Sequence, residues 1–321
     1  MRPVSSLNGT PEAQLGGEFA FVERLRQALP DLPAGQVGVG DDTAVLEGGL
    51  LFATDVLTED VHFNLQWSTP ADVGWKALAV NLSDLAAMGG SPRAAVCGVV
   101  VVAGRKGEAD DVAAGLMTAA AELGCPLVGG DTTVGAALTV TVAVLGDAPE
   151  GGAVLRSGAR PGDSIFVTGP LGGGRAALAA LRRGEDPDPV ALARLQRPVP
   201  RLLEGRTAAA AGAGAMIDLS DGLSSDLAHI CRASGVGALL EPSAIPVAPG
   251  AVVEDALSGG DDYELCFTAA DPVRVAEAFA AAGLHLPAPI GTVTAGDEVL
   301  LTTPGGGTWP LAPGGWEHPV E

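Results

Sequence analysis

Aspartates beside glycines recur along this chain, each group closing a short apolar run, and this placement limits the fold more than any other feature. The groups are Gly40-Asp41-Asp42, Thr54-Asp55, Asn81-Leu82-Ser83-Asp84, Gly129-Gly130-Asp131-Thr132, Ile217-Asp218-Leu219-Ser220-Asp221-Gly222 and Gly259-Gly260-Asp261-Asp262. Apolar runs at 50–53, 96–103, 126–128, 138–145, 164–168, 215–219, 265–268, 289–293 and 299–302 have the length and β-branching of buried strands. Between them, apolar residues at spacings of three and four predict helices over 18–29, 72–88 with Asp72 as its cap, 108–123, 175–183, 201–211, 222–233 and 271–282. Strands alternating with helices imply a layered α/β or α+β fold, in which ligands sit where loops leave the strand ends. At 321 residues the chain is long enough for two domains. The Gly- and Pro-rich stretch 147–162 is the natural break, giving 1–149 and 150–321.

Carboxylate oxygens without histidine pairs or close cysteines favour hard cations, Mg²⁺ or Mn²⁺, over zinc. An aspartate after a strand also serves as a turn former or helix cap, and Asp41, Asp42 and Asp221 fit that role equally well. Asp84 differs. Trp75, Leu78, Leu82 and Leu85 share one stripe of its helix, and Asp84 falls outside it beside Ala77 and Asn81, on a side nearly free of other charges. Crowding carboxylates costs about 1 kcal/mol per pair at 4 Å even in water, so a site that gathers them needs cations, and its natural client is a polyphosphate. No P-loop or protein-kinase motif is present. Gly172 to Gly174, opening a helix, offers backbone N–H groups to a phosphate, though a simple glycine turn explains it as well. His62 stands seven residues after Asp55 in a polar segment.

With 39 acidic against 18 basic residues the net charge is −21, which excludes a nucleic-acid or anionic-membrane partner. No apolar run reaches the roughly 18 residues of a membrane span, and 1–17 does not read as a signal peptide. The four cysteines are widely spaced, as expected of free thiols in a cytoplasmic protein.

Taken in order, Val39 to Asp42, Thr54-Asp55, His62-Phe63, the run Trp75 to Gly89, Gly129 to Thr132, Arg156 to Ala159, Ile217 to Leu223 and Ser258 to Leu265 resemble the thiamine-monophosphate kinase family of the AIR-synthase-like (PurM-like) superfamily. The resemblance runs from Gly17 to Trp316. It implies a PurM-like two-domain fold: an N-terminal sheet-plus-helices domain that dimerises through its sheet, and a C-terminal α/β domain. It also implies ATP- and Mg²⁺-dependent phosphorylation of thiamine monophosphate to thiamine diphosphate, in a homodimer. By the same resemblance Asp42, Ala53, Thr54, Asp55, Asp84, Asp131, Asp218 and Asp221 correspond to ligands of several Mg²⁺ ions. Gly130, Asp131, Arg156 and Ser220 correspond to ATP contacts, and His62, Asp261 and Trp316 to contacts with thiamine monophosphate. Two positions depart from the pattern. Ala53 stands where relatives carry Ser and leaves only its carbonyl as a ligand, and Asp261 replaces Glu, one methylene shorter. No catalytic acid or base is implied, because the attacking phosphate oxygen is already anionic.

Overall fold

A computed structural model describes residues 18–30 and 32–315. Helix α1 (Glu18–Ala28) leads into a five-stranded sheet formed by β1 (Ala44–Leu46), β2 (Leu50–Thr58), β3 (Ser91–Val102), β4 (Leu127–Gly135) and β5 (Thr139–Asp147). Their order is β1-β2-β5-β3-β4; only the β3–β4 pair is parallel. One face packs on α2 (Pro70–Ala87) and α3 (Glu108–Glu122) through Leu51, Leu57, Val140, Val142 and Val144. From the opposite face Phe52, Val56 and Val96 project into solvent.

The second half is a seven-stranded sheet in the order β12-β11-β8-β10-β6-β9-β7. Its strands are β6 (Ser164–Val167), β7 (Ala213–Asp218), β8 (Gly237–Leu240), β9 (Leu265–Ala269), β10 (Ala288–Thr294), β11 (Val299–Thr302) and β12 (Thr308–Pro310). The helices are α4 (Gly173–Arg182), α5 (Pro189–Gln196), α6 (Leu202–Ala211), α7 (Leu223–Ser234), α8 (Val253–Ser258) and α9 (Pro272–Ala281). Leu223, Leu227 and Ile230 of α7 cover one face of the sheet, and α6 and α9 the other, where Phe166, Phe267 and Phe279 stack at 5.1 and 6.1 Å.

Helix α2 belongs to both halves. Its apolar residues fill the first core, while Ala86 and Ala87 lie in the core around Phe267, and Trp75 donates its indole N–H to the Pro198 carbonyl at 2.8 Å. Two glycines set how closely it approaches α3. A Cβ on Gly74 would stand 2.1 Å from the Val112 carbonyl oxygen, and one on Gly115 only 1.9 Å from that of Ala71. Thr69, rather than Asp72, caps the helix. The Thr69 hydroxyl accepts from the Asp72 N–H at 3.2 Å while the Asp72 carboxylate takes the Thr69 N–H at 2.9 Å, a reciprocal capping box.

Candidate active site

The site is built on the middle of α2. Asn81 is fully buried; its amide donates to the Ala77 carbonyl at 2.9 Å, and its side-chain oxygen accepts the Asp55 N–H at 3.0 Å. Ser83, also fully buried, donates to Asp218 Oδ2 at 2.6 Å, tying the end of β7 to α2. Asp84 follows Ser83 on the same helix. Asp42, Asp84 and Asp218 each offer a carboxylate oxygen within 4.8 Å of the other two, so three distant sequence motifs from both halves meet at one point.

Burial acts on Asp55, Asp84 and Asp218. It pushes Asp55 up to about 6, and, with the charge of Asp42, Asp218 up to about 8. Asp84 is carried well above the usual carboxylate range by burial first, then by the charges of Asp55, Asp218 and Asp42. Arg156 supplies the local countercharge, with Nη2 2.8 Å from Asp42 Oδ1. Asp42 Oδ2 is buried and has no hydrogen-bond partner among the described residues. An oxygen-only donor set with one orphaned oxygen and more negative than positive charge fits a hard divalent cation such as Mg²⁺.

Asp41 turns elsewhere and accepts the Arg156 N–H at 3.0 Å. Asp226, which the motif reading passed over because it is one helical position among many, is buried and accepts the N–H groups of Asp221 and Gly222 at 3.2 and 3.0 Å. It thereby shapes the loop that carries Ser220 and Asp221. The charges of Asp221 and Asp218 add to burial in raising its carboxyl. Thr54 directs its hydroxyl to the Val142 carbonyl at 2.9 Å, and Ala53 has only main-chain oxygen to offer.

Gly130 and Asp131 are not brought to the carboxylate cluster within the chain. Asp55, Val142, Cys97 and Gly130 form one row across β2, β5, β3 and β4, so three strand spacings, about 14 Å, separate the two ends. Both residues, with Cys97 and Leu116, instead line a cavity of about 230 Å³ beside α3. Asp131 Oδ1 accepts the Thr132 N–H at 2.9 Å. The motif also lies inside β4, not after a strand end as the apolar run suggested; the flat Gly-Gly pair extends the strand.

On the far side, His62 Nδ1 accepts the Thr58 N–H at 3.0 Å, and Asp261 pairs with Lys76 at 2.8 Å. Trp316 lies outside the described residues. The segment leading to it is anchored at the site, since Ser224 donates to the Gly314 carbonyl at 2.6 Å and a Cβ on Gly315 would meet the Asp221 carbonyl at 2.6 Å. The N-terminus of α4 is already taken by an anion of the protein itself, because Asp262 accepts the Gly172 N–H at 2.7 Å. Glu264, fully buried, accepts from Arg201, from Arg194 at 3.2 Å and from Thr168 at 2.7 Å. Asp262 belongs to the Gly259 to Asp262 motif, whereas Glu264 did not stand out in the sequence, because Asp-Tyr-Glu next to Asp261 reads as one polar block.

Two stacked α/β layers with aspartates from both converging on one helix define a member of the AIR synthase related class. The N-terminal domain of that family matches residues 40–148 and its C-terminal domain residues 160–302. Within the class, a thiamine-monophosphate kinase of Salmonella typhimurium is 41% identical over 273 residues, 78% of this chain and 82% of the relative. The Escherichia coli K12 enzyme of the same name is 38% identical, covering 94% of this chain and 98% of its own. A solved structure described as AaThiL complexed with AMPPCP and TMP superposes with a TM-score of 0.83 at 31% identity, over 97% of this chain and 99% of that one. The chain belongs to the thiamine-monophosphate kinase family.

Proposed function

We propose that this protein transfers the γ-phosphoryl group of ATP to the phosphate of thiamine monophosphate, giving thiamine diphosphate and ADP. An oxygen of the acceptor phosphate attacks the γ-phosphorus in line as the bond to the β,γ-bridging oxygen breaks, and the electron pair leaves with ADP. The acceptor oxygen carries its own negative charge, so no base is required; the obstacle is repulsion between two anions. The observation that carries the reading is the meeting of Asp42, Asp84 and Asp218 with Arg156 beside them. Mg²⁺ held there, with Asp55 and Asp221 adjoining, would neutralise and orient the phosphates and stabilise charge in the transition state. Arg156 adds a fixed cation, and Asn81 and Ser83 keep Asp55 and Asp218 in place. His62 and Asp261 are assigned to the thiamine moiety, and Gly130, Asp131 and Ser220 to the nucleotide.

We further infer a homodimer formed through the open face of the five-stranded sheet. The exposed apolar side chains Phe52, Val56 and Val96 support it, as does the distance of Asp131 from the cluster within one chain. The domain boundary is assigned to 149/150, between the two sheets. Three buried cysteines and a half-buried fourth, all unpaired, suit a reducing cytoplasm, and among the described residues no helix is long and apolar enough to cross a membrane.

The test is formation of thiamine diphosphate from ATP, Mg²⁺ and thiamine monophosphate, with free thiamine as control. Asp84→Asn and Asp55→Asn are expected to lower turnover at least about 100-fold with an unchanged fold. Near-normal turnover in both variants overturns the metal-site assignment, and equal activity on free thiamine overturns the acceptor.

A further inference from the structure

Lys76, in the second turn of α2, keeps only 4% of its side chain exposed in a chain of net charge −21. Its Nζ is 2.8 Å from Asp261 Oδ1, 3.5 Å from the His62 carbonyl oxygen and 6.0 Å from the centre of the Tyr263 ring. The Tyr263 hydroxyl donates to the same Asp261 oxygen at 3.0 Å. Oδ1 therefore takes two donors from different sides. Oδ2 accepts no hydrogen bond among the described residues, although 31% of the Asp261 side chain remains exposed.

The main chain beneath is equally fixed. Asp261 and Tyr263 both adopt left-handed φ values, 65° and 50°, which side chains other than glycine rarely occupy. They are held there by the Asp261 N–H on the Ser220 carbonyl and the Tyr263 N–H on the Leu219 carbonyl, each at 2.9 Å. Gly174 packs so near that a Cβ on it would stand 2.9 Å from that of Asp261. Burying an ammonium is expensive, and a buried pair adds little net stability against an apolar replacement. Orientation is what this pair supplies.

We propose that Lys76 is a positioning residue for the acceptor substrate: with Tyr263 it holds Asp261 Oδ1, so that Oδ2 is presented to the cationic thiamine moiety. This deepens the reading of Asp261 given above and rests on it. It also assigns a role to the first half of α2. The helix carries the acceptor-orienting lysine two turns before the metal-side Asp84, so one rigid rod sets the spacing between the two ends of the substrate.

The experiment measures steady-state kinetics and calorimetric binding of thiamine monophosphate for Lys76→Met and Tyr263→Phe. Lys76→Met is expected to raise KM and Kd for thiamine monophosphate about tenfold, the loss of one charge-assisted hydrogen bond, with kcat within about twofold and KM for ATP unchanged. Tyr263→Phe, which keeps the ring packing, is expected to raise them about threefold. Adding Asp261→Asn to Lys76→Met should weaken binding by much less than Asp261→Asn does alone, because both act through one carboxylate. Unchanged or tighter thiamine monophosphate binding in folded Lys76→Met, or in Tyr263→Phe if the lysine variant fails to fold, overturns the proposal. So does a fall in kcat at constant KM. A wild-type protein that binds thiamine monophosphate without turning it over would refute the proposed activity and leave the binding comparison decisive, whereas one that neither binds nor converts it refutes both.

Discussion

Asp41 and Asp42 are adjacent and divide their duties. Asp41 secures the Arg156 backbone, and Asp42 takes the guanidinium and faces the other acids. Nothing in Gly-Asp-Asp distinguishes them, because the difference arises only when Arg156 arrives from 114 positions away. The acids also set a pH signature. Asp55 and Asp218 have folded pKa values near 6 and 8, above their unfolded values near 4, so their contribution to stability is complete below about pH 4 and is lost as pH rises through those values. His229 works oppositely. Burial, with the nearby charges of Arg156 and Arg232, lowers it to about 4, so its contribution is present above about 6.5 and lost as pH falls toward 4. Between pH 6.5 and 8.5 the carboxylates act alone. In chelator, thermal unfolding should shift down by a few degrees across that window, about 1–2 kcal/mol, and Mg²⁺ should restore more at pH 8.5 than at 6.5. A flat profile, or equal rescue at both values, would contradict the buried-acid reading.

At the level of elements, α2 is the piece on which the site depends, and its position is set by glycines that touch no ligand. Gly115→Ala on α3 would push a methyl against the Ala71 carbonyl. The expected result is a loss of about 1–3 kcal/mol in chemical denaturation together with reduced turnover, because Asp84 shifts with the helix. Unaltered stability and kinetics would show that the contact yields easily. The helical stripe of Trp75, Leu78, Leu82 and Leu85 was readable in the sequence because 3.6-residue periodicity survives in a chain rich in alanine. Other elements were not. Residues 189–196 form α5 behind an Asp188 cap, yet a segment of 8 residues among prolines spans too few turns to show a period. Strand β4 extends to residue 135 through Gly-Gly-Asp-Thr-Thr-Val-Gly, a composition that reads as loop and becomes strand only by pairing with β3. Asp72 looked like the helix cap because the cap and N3 positions favour the same residue types, and only the reciprocal bonds to Thr69 separate them.

Across the whole molecule, the candidate site was legible as a set of motifs but not as a geometry. The sequence singled out Asp42, Asp84 and Asp218 as acids; that they converge while Asp131 stands about 14 Å of sheet away from Asp55 follows from strand order, which no local pattern encodes. The open sheet face leads to a prediction at this scale. The protein should sediment at about twice 31.9 kDa, and Val56→Glu, placing a charge on that face, should give a monomer with sharply reduced activity. A monomeric wild type would refute the assembly.

The hydrogen bond from Ser83 to Asp218 joins the two halves at the point where their acids repel one another. Bound cations at that seam would therefore act as mortar as well as reagent. A chelated sample should open first along the 148–163 connection, becoming vulnerable to nicking there well before either sheet unravels.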